Sequence, residues 1–128
     1  MVSKLLDDEI VIASHNKGKI VEFADLFSDY NLNLSSSADY DIEEPEENGL
    51  TFAANALIKA RTTMKGSGKV AISDDSGLCV DSLNGEPGIY SARWAGQKKD
   101  FSMAMEKIKE RLLELDTKNT NAHFFCAL

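Results

Sequence analysis

The chain has 128 residues, a length that fits one domain of ordinary size, and 43% of them are hydrophobic, which is enough to build a core. Its 21 acidic residues outnumber its 14 lysines and arginines, and the resulting net charge of −7 disfavours non-specific nucleic-acid binding, which depends on cations meeting phosphates. No apolar run could span a bilayer and the charged N-terminus lacks a signal-peptide core, so we expect a cytoplasmic protein.

Strand and helix patterns alternate along the chain, which is typical of the α/β class. The elements predicted for the first half are a buried strand over residues 9–14, a helix over 19–28, a strand over 31–35, an acidic loop over 39–49 and a helix from Thr51 to about Met64, ended by Gly66 and Gly68. Those predicted for the second half are a strand over 69–73, a turn over 74–77, a strand over 78–83, a Gly/Pro-rich loop over 84–96, a helix after Asp100 and a strand over 121–128.

Each predicted helix carries apolar residues at helical spacing, which indicates one buried face per helix. These residues are Ile20, Phe23, Ala24 and Phe27 in the first helix, Phe52, Ala53, Ala56, Leu57 and Ala60 in the second, and Phe101, Met105, Ile108, Leu112 and Leu115 in the third. Cys79 and Cys126 lie in apolar runs, so we expect reduced core thiols. His123 is expected to be a core or edge histidine.

A polar segment, Ser14-His-Asn-Lys-Gly-Lys19, lies where the first strand turns into the first helix. A helix N-terminus presents free N–H groups and the positive end of the helix dipole, which suit phosphate. Lys19 adds a full charge and Asn16 can donate from its amide. The glycine pattern of a Walker A loop is absent, so an ordinary polar turn is the alternative interpretation.

Two further polar features lie at the second predicted helix, an acidic loop before it and a pair of polar side chains on it. Six carboxylates lie between Asp39 and Glu47, and most of them fit a solvated loop, although Glu47 is well placed to reach a divalent metal. Asn55 and Lys59 are one helical turn apart and share a face. Lys59 either extends to solvent or points a second cation at a polyphosphate.

The segment Asp74-Asp-Ser-Gly77 places two adjacent acids and a hydroxyl directly after a predicted strand. Because successive strand side chains point to opposite faces, only one of the two carboxylates would face a site. That carboxylate could hold Mg²⁺ and take a proton from water. A β-turn built from favourable turn residues is the alternative interpretation.

Together these stretches resemble the inosine triphosphate pyrophosphatase family, the non-canonical purine nucleoside triphosphate pyrophosphatases. Three ordered blocks with matching spacing carry the resemblance and cover nearly the whole chain. They are Ile12-Ala-Ser-His-Asn-Lys-Gly-Lys19 with Glu22, Glu47-Asn-Gly-Leu-Thr-Phe52 with Asn55-Ala56 and Lys59-Ala60, and Asp74-Asp-Ser-Gly-Leu78 continuing through Gly85-Glu-Pro-Gly-Ile-Tyr-Ser-Ala-Arg93.

The resemblance implies Mg²⁺-dependent hydrolysis of ITP, dITP and XTP to the monophosphate and pyrophosphate. It also implies a homodimer and a two-lobed mixed α/β fold with a long central mixed sheet, of which this chain is the N-terminal larger part. By the same resemblance Ser14, Asn16, Lys19, Lys59 and Ser76 would contact the substrate. Glu47 and Asp75 would hold the metal, and Asp75 would accept the proton of the attacking water.

The chain departs from the family in one respect. Family members continue past position 128 with a Phe-Gly-Tyr-Asp stretch, a lysine and a Ser-His-Arg stretch that recognise the base and close the cleft. We therefore expect a single pyrophosphatase-like domain over residues 1–128 that is incomplete at its C-terminus, with a purine nucleoside triphosphate as partner and neither nucleic acid nor membrane.

Other interpretations stay open. The chain could be an inactive nucleotide-binding or structural remnant of the same family. A septum-formation-type nucleotide pyrophosphatase also begins with a strand and a phosphate loop. It fits less well, because members of that family usually carry Ser-x-x-Arg where this chain has Asn16-x-x-Lys19. A nucleic-acid binder fits least, given the negative net charge.

Overall fold

The structure is a computed structural model that describes residues 8–128. In this range the strands are β1 (Glu9–Ile12), β2 (Asn33–Ser36), β3 (Val70–Ile72), β4 (Asp75–Val80) and β5 (Ala122–Ala127). The α-helices are α1 (Lys17–Leu26), α2 (Phe52–Ser67), α3 (Ser91–Trp94) and α4 (Phe101–Glu114), and short 3₁₀ helices cover Ser37–Tyr40, Asp81–Leu83 and Gly88–Tyr90. The α/β class predicted from the sequence is confirmed. None of the helices in residues 8–128 is both long and apolar enough to cross a membrane.

The chain divides into two compact units, and the first contains a parallel sheet. Among the described residues this unit comprises 8–49, 53–74 and Leu128, and its three strands lie in the order β2-β1-β3. Helix α1 connects β1 to β2, as parallel pairing requires a crossover. The central strand β1 holds the buried residues Ile10, Val11 and Ile12, an apolar run typical of a parallel strand covered on both faces.

The second unit comprises residues 50–52 and 75–127 and contains an antiparallel strand pair. Strands β4 and β5 pair from Asp75 opposite Ala127 to Val80 opposite Ala122. Phe52 stacks on Phe125 with a centroid separation of 5.1 Å. The described strands therefore form a three-stranded parallel sheet and a two-stranded antiparallel sheet.

The turn predicted over residues 74–77 is wrong, because β4 already begins at Asp75 and runs through Gly77. A Cβ atom at Gly77 would lie 2.2 Å from the Gly88 carbonyl oxygen and 2.6 Å from Ser91 Oγ. This glycine therefore permits a close approach of two backbone segments rather than a tight turn. At its other end the predicted strand stops at Val80, and a 3₁₀ helix follows.

The other strands and long helices lie within a few residues of their predicted bounds, but the loop predicted over residues 84–96 is partly helical, with a 3₁₀ helix at Gly88–Tyr90 and α3 at Ser91–Trp94. Helix α2 was expected to end at about Met64, at Gly66 and Gly68; it continues to Ser67, and Gly68, with φ of 71°, is the left-handed residue directly after it. Asp100 caps α4 as predicted, because its Oδ1 accepts a hydrogen bond from Met103 N at 3.1 Å. Boundary shifts of this size are expected where local propensity alone sets the limits.

Burial departs further from the predictions than secondary structure does. Of the predicted apolar faces, Phe23 and Ala56 are buried, but Leu57 and Met105 are 46% and 61% exposed. Helical periodicity identifies the residues that share a face of a helix. Whether that face is buried depends on a second element packing against it, and none of the described residues covers Leu57 or Met105 in this way. Leu128 belongs to the first unit, whereas β5, the strand that precedes it, belongs to the second.

The predicted core thiols are also corrected. Cys126 is exposed and Cys79 is half-buried, and both are free cysteines. Cys126 lies on β5, which in the described residues pairs only with β4, so one of its edges lacks cover. His123 is likewise exposed on this edge strand, 3.9 Å from Asp81 through its Nδ1.

Candidate anion-binding site

The candidate site lies in the first unit, at the carboxyl ends of two neighbouring parallel strands. Strands β1 and β3 pair from Ile10 opposite Val70 to Ile12 opposite Ile72, and Ala13 N then donates to Ile72 O at 2.8 Å. The segments that leave these strands therefore lie side by side at one sheet edge. In open α/β sheets this edge is where ligands bind.

The turn from β1 into α1 is organised by Asn16. Its Oδ1 accepts hydrogen bonds from Gly18 N at 2.9 Å and Lys19 N at 3.3 Å, and its own N–H donates to Ser14 Oγ at 3.0 Å. Asn16 is thus the N-cap of α1. Because two N–H groups of the first turn are satisfied by this cap, an anion here would depend on side-chain donors and on the helix dipole. Substrate contact by Ser14 and phosphate contact by Asn16 stay predictions.

Lys19 reaches across the sheet edge to Asp74, two residues past the end of β3. Its Nζ lies 2.8 Å from Asp74 Oδ2, and the Asp74 side chain is buried. Asp74 was not among the residues chosen from the sequence, where the neighbouring Asp75 was favoured. The available signal was the pair of adjacent acids after a strand, of which only one can face the site.

Lys59 approaches the same aspartate from α2. Its Nζ lies 2.5 Å from the Asp74 carbonyl oxygen and 3.2 Å from Glu47 Oε1. Its side chain is only 15% exposed, so Lys59 does not extend freely into solvent, which was the alternative interpretation. The two lysines predicted as phosphate contacts therefore meet at Asp74, one at its carboxylate and one at its backbone.

Two ion pairs lie at this sheet edge, one between Lys19 and Asp74 and one between Lys59 and Glu47. A polyphosphate would compete with these carboxylates for the two ammonium groups. A divalent cation bound by carboxylate oxygens would add positive charge at this edge and favour a polyphosphate. The ammonium groups of Lys19 and Lys59 would then be available to pair with the anion instead of with these carboxylates.

The carboxylates at this edge are chemically suited to a magnesium-type ion, but they would need substrate phosphates and water to complete its coordination. Within residues 8–128 no group of three or more His, Cys, Asp or Glu side chains converges as a metal cluster. Mg²⁺ is usually held by one or two carboxylates together with substrate phosphates and water. The half-buried Glu47 carboxylate is chemically suited to be such a ligand.

Two further predicted site residues belong to the second unit. Asp75 is the buried first residue of β4 and follows Asp74 directly in the chain. Ser76 is the next residue of β4 and pairs with Cys126 of β5. Metal binding by Glu47 and Asp75, and substrate contact by Ser76, stay predictions.

A lysine-bearing site at the carboxyl ends of parallel strands defines an α/β protein suited to a phosphate-bearing ligand. The model of the Ham1 family matches residues 10–128, and the chain belongs to that family. Among curated relatives, the dITP/XTP pyrophosphatase of Rhodospirillum centenum is 51% identical over 122 residues, covering 94% of this chain and 60% of that protein. The dITP/XTP pyrophosphatase of Bacillus anthracis is 45% identical over 121 residues, again 94% of this chain and 60% of the relative.

Solved structures agree with this assignment. A Ham1 protein from Coxiella burnetii superimposes with a TM-score of 0.87 at 37% identity, covering 92% of this chain and 60% of the other. The Ham1 protein of Staphylococcus aureus gives a TM-score of 0.80 at 43% identity over the same shares. The chain thus spans about 60% of the length of the relatives it matches.

Proposed function

We propose that this chain acts in the hydrolysis of non-canonical purine nucleoside triphosphates (ITP, dITP and XTP) to the monophosphate and pyrophosphate, which removes them from the nucleotide pool. The meeting of Lys19 and Lys59 at Asp74 is the observation that carries the proposal. The relatives named dITP/XTP pyrophosphatase support the substrate class. Because the chain spans about 60% of these relatives, the activity of the whole protein is part of the proposal.

In the proposed reaction, water attacks the α-phosphorus while the bond to the pyrophosphate leaving group breaks. Lys19 and Lys59 offset the negative charge of the triphosphate, and Ser14, Asn16 and Ser76 orient it by hydrogen bonds. Asp75 accepts the proton that the attacking water loses. Phosphoryl chemistry requires mainly positioning and charge stabilisation, so few protein groups need to react.

A bound Mg²⁺ would screen the phosphate oxygens and help the leaving group depart. Glu47 and Asp75 are the carboxylates proposed to hold it. Their chemistry supports this role, because hard divalent cations favour carboxylate oxygens. A homodimer and a cytoplasmic location belong to the same proposal, and the homodimer is supported by the family resemblance alone.

The decisive experiment measures dITP binding by calorimetry, with and without Mg²⁺, alongside pyrophosphate release. We expect Mg²⁺-dependent binding and, where release occurs, its loss in Asp75→Asn with binding retained. Binding without any release would favour the inactive nucleotide-binding remnant over the enzyme. Absence of nucleotide binding at any Mg²⁺ concentration would overturn the proposal.

A further inference from the structure

A buried amide on α2 supports the loop that carries Glu47. Asn55 is only 1% exposed, and its Oδ1 accepts a hydrogen bond from Gly49 N at 2.8 Å, six residues earlier in the chain. A buried polar side chain is costly unless it is hydrogen-bonded, so this contact fixes the Asn55 rotamer. It also fixes the backbone of the loop at Gly49.

The loop lies directly against α2 at this point. A Cβ atom built on Gly49 would be 2.7 Å from Asn55 Oδ1 and 2.8 Å from Ala54 Cβ, distances that real side chains do not tolerate. The absence of a side chain at Gly49 therefore permits the hydrogen bond. Any substitution here must move the loop away from the helix.

The same loop and helix contact each other at a second point. Glu47, two residues before Gly49, places its Oε1 3.2 Å from the Nζ of Lys59, which lies one helical turn after Asn55. A triphosphate that engages Lys59 would weaken this ion pair. The neutral contact between Asn55 and Gly49 would persist, because it involves no group that binds the ligand.

We propose that Asn55 is a positioning residue that holds the Glu47 carboxylate in place for a divalent cation through its hydrogen bond to Gly49. This inference rests on the proposed function, since Glu47 is a metal ligand only there. Removing a group that hydrogen-bonds and orients a metal ligand typically weakens metal binding by roughly 10- to 100-fold. The nucleotide contacts of Lys19 do not depend on this hydrogen bond.

The test measures the Mg²⁺ concentration that gives half-maximal dITP binding by the intact chain. Asn55→Ala and Gly49→Ala are each expected to raise it by about 10-fold or more, while metal-free binding stays unchanged. Thr63→Val is the matched control, because Thr63 is equally buried in α2 but bonds Ser37 Oγ at 2.9 Å, away from the loop. It should lower the thermal unfolding midpoint without changing the Mg²⁺ requirement.

The variant Glu47→Gln distinguishes a failure of the positioning role of Asn55 from a failure of the proposed metal site. If Glu47→Gln raises the Mg²⁺ requirement but Asn55→Ala and Gly49→Ala do not, the positioning role is wrong and the proposed function stands. If Glu47→Gln also has no effect, or the unsubstituted chain binds no nucleotide, the metal site of the proposed function fails and the inference fails with it. If Asn55→Ala does not fold, Gly49→Ala decides alone, because it displaces the half-buried loop and leaves the Asn55 side chain in place.

Discussion

Lys19 Nζ lies 2.8 Å from Asp74 Oδ2, across a sequence separation of 55 residues. The contact joins the first turn of α1 to the exit of β3 because β1 and β3 are parallel neighbours whose carboxyl ends share one edge. A buried carboxylate beside a partly exposed ammonium group is a charge-assisted hydrogen bond, stronger than a neutral one. This pair places a cation where a phosphate-bearing ligand could meet it.

Replacing Lys19 with Ala should weaken dITP binding by about 1.5–3 kcal/mol, the usual value of a hydrogen bond to a charged group. Calorimetric titration at fixed Mg²⁺ measures the loss. Lys17→Ala is the control, because Lys17 is exposed at the start of the same helix. An equal loss in both variants would indicate a general charge effect and contradict a specific role for Lys19.

Removing the Asn16 cap should separate helix stability from ligand binding. Asn16→Ala is expected to lower the free energy of unfolding by about 1 kcal/mol and to weaken dITP binding as well. Asp100→Ala removes the cap of α4 and should cost similar stability with no change in binding. Urea unfolding and calorimetry provide the two measurements. Unchanged dITP binding by Asn16→Ala would restrict Asn16 to its capping role.

Gly77→Ala should destabilise the second unit more than an ordinary glycine substitution does. The new methyl group would overlap the Gly88 carbonyl oxygen, and overpacking of this kind costs about 1–3 kcal/mol or more. Gly85→Ala is the comparison, because Gly85 has φ of 84° but open space around it, so only backbone strain of about 1 kcal/mol applies. Equal denaturation midpoints for the two variants would show that the close approach at Gly77 does not occur.

Thiol labelling should distinguish the two cysteines in the folded chain. Cys126 is exposed on β5 and should react with a maleimide well before the half-buried Cys79, since access limits the reaction. Mass spectrometry of digested samples measures the order of modification. Cys126→Ser should remove the fast phase; a fast phase that survives in this variant must come from Cys79 and would contradict the predicted order.

Local patterns predicted most of the elements that frame the site. The β-branched run before Ser14 and the helical spacing after it located β1 and α1, because these signals depend on neighbouring residues. The segment after Ser73 was misjudged for the same reason. Its acids, hydroxyl and glycine favour a turn locally, and pairing of β4 with a strand more than forty residues later overrides that preference.

The sequence by itself determined the α/β class, the strand-to-helix turn with Asn16 and Lys19, and the helix that carries Asn55 and Lys59. These features follow from residue periodicity and turn chemistry, which act over a few residues. Only the tertiary structure decided that both lysines meet at Asp74 and that Gly49 lies on Asn55. Such contacts depend on which strands become neighbours and how closely the chain approaches itself, and no local pattern encodes either quantity.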